Sequence, residues 1–371
     1  MRFSFFRSSL ALIVSAFSMT ALTYLDSEKK ALAGNNCPKA VIVTEPAEVE
    51  KATPVTKENY AFAETDVILA EYVNKIAQKN CSEGIGEFMH IRDAIDINDR
   101  TIIRPNFDTL YSAAVIDLNR PAVIVMPQTD RLQILSALDE EHWNVLLADK
   151  PGRYELKKEA VGARYLFLIV RTQVNMNDPD DLQKVSALQD RIQIEQTDKG
   201  EYLQPKRWDR REILALRDEY NERWSSEGIK SELAFGGKGE ISPEMRNFGV
   251  AFGWGGLPKE GAVYPSLQVP VSAGPLTLTL KDVPIADNAF WSVTIYNQEG
   301  FSRGKHYNIN SAFAKENENG EYILNFGTSS GKDNYLETYP GWNATLRIYS
   351  PQSAYFNGEW GVPSLRSIQK D

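Results

Sequence analysis

Two cysteines and three histidines are all that these 371 residues contain of the side chains that most often hold transition metals. His90, His142 and His306 lie far apart, with no pair at one-turn spacing, and no thiol cluster exists, so a zinc site finds no support. A G-x-S-x-G elbow is missing too, which removes hydrolases built on a strand-to-helix serine turn. The stretch FGWGGLPKEG has no lysine-serine ending and no preceding strand, so it is not a phosphate-binding loop and reads as a flexible loop beside a pocket. NMNDPDD lacks the glycine and terminal glutamate of a calcium loop and reads as a helix cap. No cofactor is expected. Positive charge is also short: 41 Lys and Arg face 50 Asp and Glu, a net charge of −9 without a basic cluster. That excludes nucleic acid and anionic membrane surfaces as natural partners.

What is present begins at the N-terminus. Arg2 and Arg7 precede an apolar run from Leu10 to Leu22, and Ala31-Leu32-Ala33 supplies a small-x-small site further on, the layout of a secretory signal over residues 1–33. The run has 13 residues, short of the roughly 18 to 20 that cross a bilayer as a helix, so no stable span is expected after cleavage. An uncleaved anchor is the alternative reading, and the charged TYLDSEKK segment leaves cleavage nearer Ala21 open. Loss of Arg2, Arg7, Lys29 and Lys30 with Asp26 and Glu28 takes the net charge from −9 to −11. The expected location is periplasmic or secreted, in an oxidising compartment. There Cys37 and Cys81 are expected to form a disulfide, closing a loop of about 44 residues and contributing roughly 4 kcal/mol on a chain-entropy estimate. Two isolated thiols are the alternative.

Residues 34–60 carry Pro38, Pro46 and Pro54 without helical period and read as an extended lead-in. ETDVILAEYVNKIAQK then places Val67, Ile68, Ala70, Val73 and Ile76 on one stripe of a helix opened by acidic residues. Short apolar or alternating runs follow: TLYSAAVIDL, AVIVMP, RLQILSAL, WNVLLA and RYLFLIV. No helical pattern separates them, as parallel crossovers would require, so they predict an antiparallel sandwich or barrel. NDPDDLQKVSALQDRIQIEQ reads as a helix with Asp178 as N-cap and Pro179 in its first turn. WDRREILALRDEYNERW, with Ile213, Leu216, Tyr220 and Trp224 in one stripe, reads as a second. The β pattern resumes from Ala262 in AVYPSLQVPV, LTLTLKDV, FWSVTIYN, YILNFG and ATLRIYS. The division is thus signal 1–33, lead-in 34–60, a β region with helices 61–205, a helical connector 206–261 and a second β region 262–371.

RPNFDTLYSAAVIDLNRPAVIVMP, EEHWNVLL and RYLFLIVRTQVNMNDPDDLQKVSALQDRIQI together resemble domain of unknown function 1254 of bacterial proteins. DVPIADNAFWSVTIYNQEGF and LRIYSPQSAYFNGEWGVPSL resemble domain of unknown function 1214, which follows it in that family. The resemblance spans roughly residues 65 to 371. It implies a mainly β fold with α-helical additions, two jelly-roll-like antiparallel β-sandwiches with a helical N-terminal element and a helical middle segment. It implies no established reaction. Phe107 stands where a second asparagine is frequent in the family, and DNYLETYPGWN replaces a tryptophan-leucine-proline run.

The richest candidate site is RPNFDTLYSAA. Arg104, Asn106, Asp108 and Tyr111 offer a cation, an amide, a carboxylate and a phenol, a mixture that either orients a polar ligand or satisfies itself as a buried network. Asn144 and His306 join the list of ligand-binding candidates, the latter with Tyr307 and Asn308 in a polar bend. His142, beside Glu140 and Glu141, is expected to face solvent, because neighbours on a strand point to opposite sides. Trp143 is expected in the core, while Asp287, Asn288 and Trp291 read as turn and core residues. Three function classes remain. They are an exported protein that binds or acts on a small molecule in a β-sandwich pocket, a hydrolase on an ester or apolar substrate, and a structural, self-associating jelly roll that forms a homo-oligomer.

Overall fold

The computed structural model describes residues 52–98, 104–204, 206–267, 269 and 274–368. The expected signal segment, the first part of the lead-in and Cys37, and with it the Cys37–Cys81 pairing, lie outside the described residues.

The five β runs expected before residue 174 are strands. They are β2 (Thr109–Asp117), β3 (Ala122–Met126), β4 (Gln133–Asp139), β5 (Asn144–Ala148) and β7 (Tyr165–Gln173). Three shorter strands join them: β1 (Met89–His90), β6 (Gly152–Leu156) and β8 (Gln193–Gln196). One sheet runs β1-β2-β7-β4-β5 and another β6-β3-β8, all paired antiparallel. Ala114, Ile116, Leu166 and Leu168 from the first sheet share a core with Ala122, Ile124 and Leu156 from the second. β8 corrects one expectation, since RIQIEQ does not continue the helix before it. That helix ends at Gln189, and Ile192 and Ile194 then alternate into the shared core.

Helix caps follow the sequence closely. Asp178 accepts the backbone N–H groups of Asp180 and Asp181 at the start of helix Pro179–Gln189. Asp209 likewise caps helix Arg210–Glu227. Helix Pro243–Gly253 is an addition to the sequence reading, although Ser242 accepts the Met245 N–H and Pro243 occupies its first turn. Helix Tyr60–Asn80 starts one turn before its acidic residues, which turn inward: Glu64 pairs with Arg217, and Asp66 accepts from Tyr202 and Trp208. Helices Tyr60–Asn80, Arg210–Glu227 and Pro243–Gly253 meet around Tyr60, Tyr220, Trp224 and Phe248.

The second β region holds β9 (Ala262–Val263), β10 (Ser266–Leu267), β11 (Leu276–Lys281), β12 (Trp291–Tyr296) and β13 (Asn308–Asn310). It continues with β14 (Glu321–Phe326), β15 (Tyr335–Leu336), β16 (Asn343–Tyr349) and β17 (Arg366–Ser367). One sheet is β10-β16-β12-β13 with β9 on β16; the other is β15-β14-β11-β17, where β14 and β15 alone run parallel among the described pairs. Leu276, Leu278, Leu324 and Phe326 pack against Trp291, Val293, Leu346 and Ile348 between these sheets. The chain is therefore mostly β, built of antiparallel sheets with helical additions.

Candidate functional site

Period-two alternation sends Trp291, Val293 and Ile295 of β12 into the core, which leaves Ser292, Thr294 and Tyr296 on the other face. In β16, Arg347 and Tyr349 share that second face. An antiparallel sheet commonly gives such a face to water. Here Ser292, Thr294 and Tyr296 are fully buried, because residues 104–111 lie across them.

Residues 104 to 108 each have a partner in the second β region. Arg104, in the left-handed region at φ 55°, donates its N–H to Gly300 O at 2.8 Å and its Nη1 to Asn343 Oδ1 at 2.8 Å. Tyr296 donates its hydroxyl to Pro105 O at 2.8 Å. Asn106 Oδ1 accepts the Asp108 N–H, while its amide lies within 3.0 to 3.2 Å of Tyr349, Tyr111 and Thr109 oxygens. Phe107 meets Tyr307 edge-on at 4.6 Å. Asp108, fully buried, accepts from Ser292 Oγ at 2.5 Å, Asn308 Nδ2 at 3.1 Å, Tyr349 at 3.4 Å and Asn310 Nδ2 at 3.5 Å. Burial raises the Asp108 pKa, opposed by the charge of Arg347 and by the hydrogen bonds of Ser292, Asn308 and Asn310. Arg347 donates to Thr294, Tyr296 and the Arg104 carbonyl. Burial works against its charge, but Tyr296, Tyr349 and Asp108 outweigh it and raise its pKa.

Tyr111 continues this seam into the first β region. Its cross-strand partner is Arg171, whose guanidinium lies 5.5 Å from the Tyr111 ring centre. Arg171 donates Nη1 to Ser136 Oγ at 3.1 Å and Nη2 to Gly255 O at 2.5 Å. Gly255 in turn donates its N–H to His142 Nε2 at 2.9 Å. Its φ of 79° favours glycine, and a Cβ there would also press on the movable end of the Ile169 side chain at 2.9 Å. The glycine-rich stretch thus contributes a buried, doubly tethered peptide in place of the free loop expected from sequence.

His142 is a second correction. It does not face solvent: it takes φ 67°, is 4% exposed, and burial, with Arg246 nearby, pushes its pKa down to about 3. A turn rather than an extended strand holds it, so the alternation argument does not apply. Its acidic neighbours are committed elsewhere, Glu140 to the Arg164 and Tyr165 N–H groups and Glu141 to Trp143 and Arg246. Trp143 is buried as expected.

Asn106, Asp108 and Tyr111 therefore come together, with Arg104 at the margin. Asn144 and His306 do not join them. Asn144 starts β5 and bonds through its N–H to Gly236 O, while exposed His306 meets Tyr335 ring to ring at 5.4 Å. From the polar bend it is Asn308 that reaches Asp108. Of the residues missed from sequence, Ser292, Tyr296, Arg347 and Tyr349 had a signal in the polar alternation of FWSVTIYN and ATLRIYS, while Arg171, just past the end of the apolar run RYLFLIV, had none. Sequence could not show that this face is covered.

One serine-histidine contact bears on chemistry. His90 Nδ1 lies 2.8 Å from Ser112 Oγ, a cross-strand pair of β1 and β2. Ser112 is fully buried and also takes a bond from Gln189, and burial pushes His90 down to about 4. A closed hydroxyl in such a pair ties strands together and offers no path for an ester. Two surface clefts, of about 190 and 380 Å³, lie elsewhere, the larger beside the Asp117–Arg164 ion pair. Among the described residues no acidic, histidine or cysteine cluster suits a metal, and no helix is long and apolar enough to cross a membrane.

Residues 85–196 match the family described as "Protein of unknown function (DUF1254)", and residues 273–353 that described as "Protein of unknown function (DUF1214)". Among solved structures, the VPA0106 protein from Vibrio parahaemolyticus is similar over 84% of this chain and 98% of that one, at TM-score 0.60 and 15% identity, a likeness of fold. A putative uncharacterized protein from Burkholderia cenocepacia matches over 94% and 96%, at TM-score 0.45 and 14% identity. No curated protein matches the sequence.

Proposed function

We propose, for a chain that carries a DUF1254 region followed by a DUF1214 region, that it is an exported protein that binds a small molecule at the Tyr111 end of the seam between them. One observation carries this reading. Around buried Arg171, the rings of Tyr72, Tyr111, Trp254 and Tyr264 are half-buried, while Asp108, Ser292, Tyr296 and Arg347 further along are closed. Accessible aromatic surface converging on a buried cation is how small-molecule sites are commonly lined. Tyr72 and Tyr264 both sit within electrostatic reach of Arg171 and Tyr111. On this reading Asn106 and Asp108 position Tyr111 and Tyr349, and Tyr111 touches the ligand. Export is supported by Arg2, Arg7, the Leu10–Leu22 run and Ala31-Leu32-Ala33. Binding is favoured over hydrolysis by the burial of Ser112 and the engagement of His142 Nε2 with Gly255.

Native mass spectrometry of protein recovered from the extracytoplasmic fraction tests the reading. A bound small mass is expected on the wild type and not on Tyr111→Ala combined with Tyr264→Ala. No adduct on the wild type, together with no melting shift across a chemically diverse ligand panel, would overturn it.

A further inference from the structure

We infer that the ligand of this site is an organic monoanion with a flat, apolar body, an aromatic carboxylate in the simplest case, and that Arg171 holds its charge. The inference rests on the binding reading above and adds the chemical class. Arg171 is 8% exposed and stands on β7 with its guanidinium over the Tyr111 ring. The partners of that guanidinium are a hydroxyl and a carbonyl, Ser136 Oγ and Gly255 O. Among the described residues no carboxylate lies within 4.0 Å of it; the acidic groups that form ion pairs all pair with other cations. Asp108 does not fill the role, because its electrostatic partner is the other buried guanidinium, Arg347.

A buried cation without a counter-charge is costly unless an anion joins it. Of the two buried guanidiniums on the seam, Arg347 has the Asp108 carboxylate beside it and Arg171 has none, so the charge at Arg171 is a single uncompensated positive one, which a monoanion balances; Arg104 lies at the other end, against Asn343. Arginine's planar fork suits the two oxygens of a carboxylate. The rings near Arg171 bear on the shape of its ligand. Trp254, next to the Gly255 that anchors Arg171, stacks near Tyr72 at 6.4 Å and meets Phe167 edge-on at 4.9 Å. Tyr72 meets Phe167 at 4.6 Å. Half-buried Tyr72 and Trp254 thus offer flat surface beside the cation, where a planar apolar body stacks and a compact inorganic ion leaves the rings unused.

Titration calorimetry with benzoate, its neutral isostere benzamide and inorganic phosphate reads the claim on the mature wild-type chain. Saturable benzoate binding is expected, with benzamide and phosphate each at least tenfold weaker. Arg171→Gln is expected to lose tenfold or more for benzoate while keeping a cooperative melt, and Arg171→Lys to fall between. Should Arg171→Gln fail to fold, the benzoate–benzamide comparison needs no variant and decides alone. Equal binding of benzamide, or full benzoate affinity in folded Arg171→Gln, would overturn the anion class and leave the pocket standing. Equal binding of phosphate would overturn the flat body. If none of the three binds, the aromatic-carboxylate assignment fails, and a retained adduct in the native spectrum shows whether the pocket reading survives it.

Discussion

Asp108, the residue before β2, accepts a hydrogen bond at 2.5 Å from Ser292 of β12, a residue 184 positions along the chain. With Asn308, Asn310 and Tyr349 around the same carboxylate, the first β region plugs a polar side chain into the covered face of the second. A buried carboxylate with this many donors is worth little until one partner is removed, and then leaves orphans behind.

Asp108→Asn tests that clasp. The amide keeps the shape but brings two donors among donors, and it takes the counter-charge from Arg347. Chemical denaturation is expected to show a loss of about 1 to 3 kcal/mol, with a lower melting temperature. Ser292→Ala, which removes one neutral donor, should cost less, about 1 kcal/mol. An unchanged melt in Asp108→Asn would mean that the two regions are held together elsewhere.

The strands around this clasp were legible because apolar residues recur at period two or in short runs, as in Val293 and Ile295 or Leu346 and Ile348. β6 and β8 were not, since GRYEL and QIEQ are short, polar and covered on one side only. In the candidate site, Asn106, Asp108 and Tyr111 stood out because they crowd one segment. Arg171 and Arg347 sit singly in apolar strands, and only the pairing of distant strands brings them to the same place.

Export carries its own test. Intact mass of the chain from the extracytoplasmic fraction should correspond to a start at Gly34, and non-reducing peptide maps should link Cys37 to Cys81. A chain that keeps Met1 and two alkylated thiols would remove both.

His142 makes a prediction in acid. Its folded pKa of about 3 lies below the ordinary 6.5, so between these values the unfolded chain binds the proton and the folded one does not. Its contribution is complete above pH 6.5 and is lost as pH falls towards 3. His142→Gln offers an amide oxygen to the Gly255 N–H and cannot titrate, so its stability should fall less steeply than the wild type's from pH 6.5 downward. His142→Phe leaves that N–H unpaired and should cost about 1 to 3 kcal/mol at neutral pH.

Asp66 gives the opposite sign. Burial, only partly offset by hydrogen bonds from Trp208 and Tyr202, lifts its pKa from 3.8 to about 6. The folded chain therefore holds a proton that the unfolded chain has released. The stability linked to that proton is fully present below 3.8 and is lost as pH rises through about 6. Other carboxylates act the other way: Asp117 and Asp181 have lowered values through Arg164 and Arg131, after burial has opposed them. The whole-chain profile blends these trends, and the difference between wild type and Asp66→Asn isolates one of them. The amide of that variant keeps an oxygen for Trp208 Nε1 or the Tyr202 hydroxyl and has no charge to bury. Wild type minus variant stability, from urea melts at steps between pH 4 and pH 6.5, is expected to decline as pH rises. A flat difference would mean that Asp66 titrates alike in both states; a rising one would mean that its ion is stabilised inside the fold.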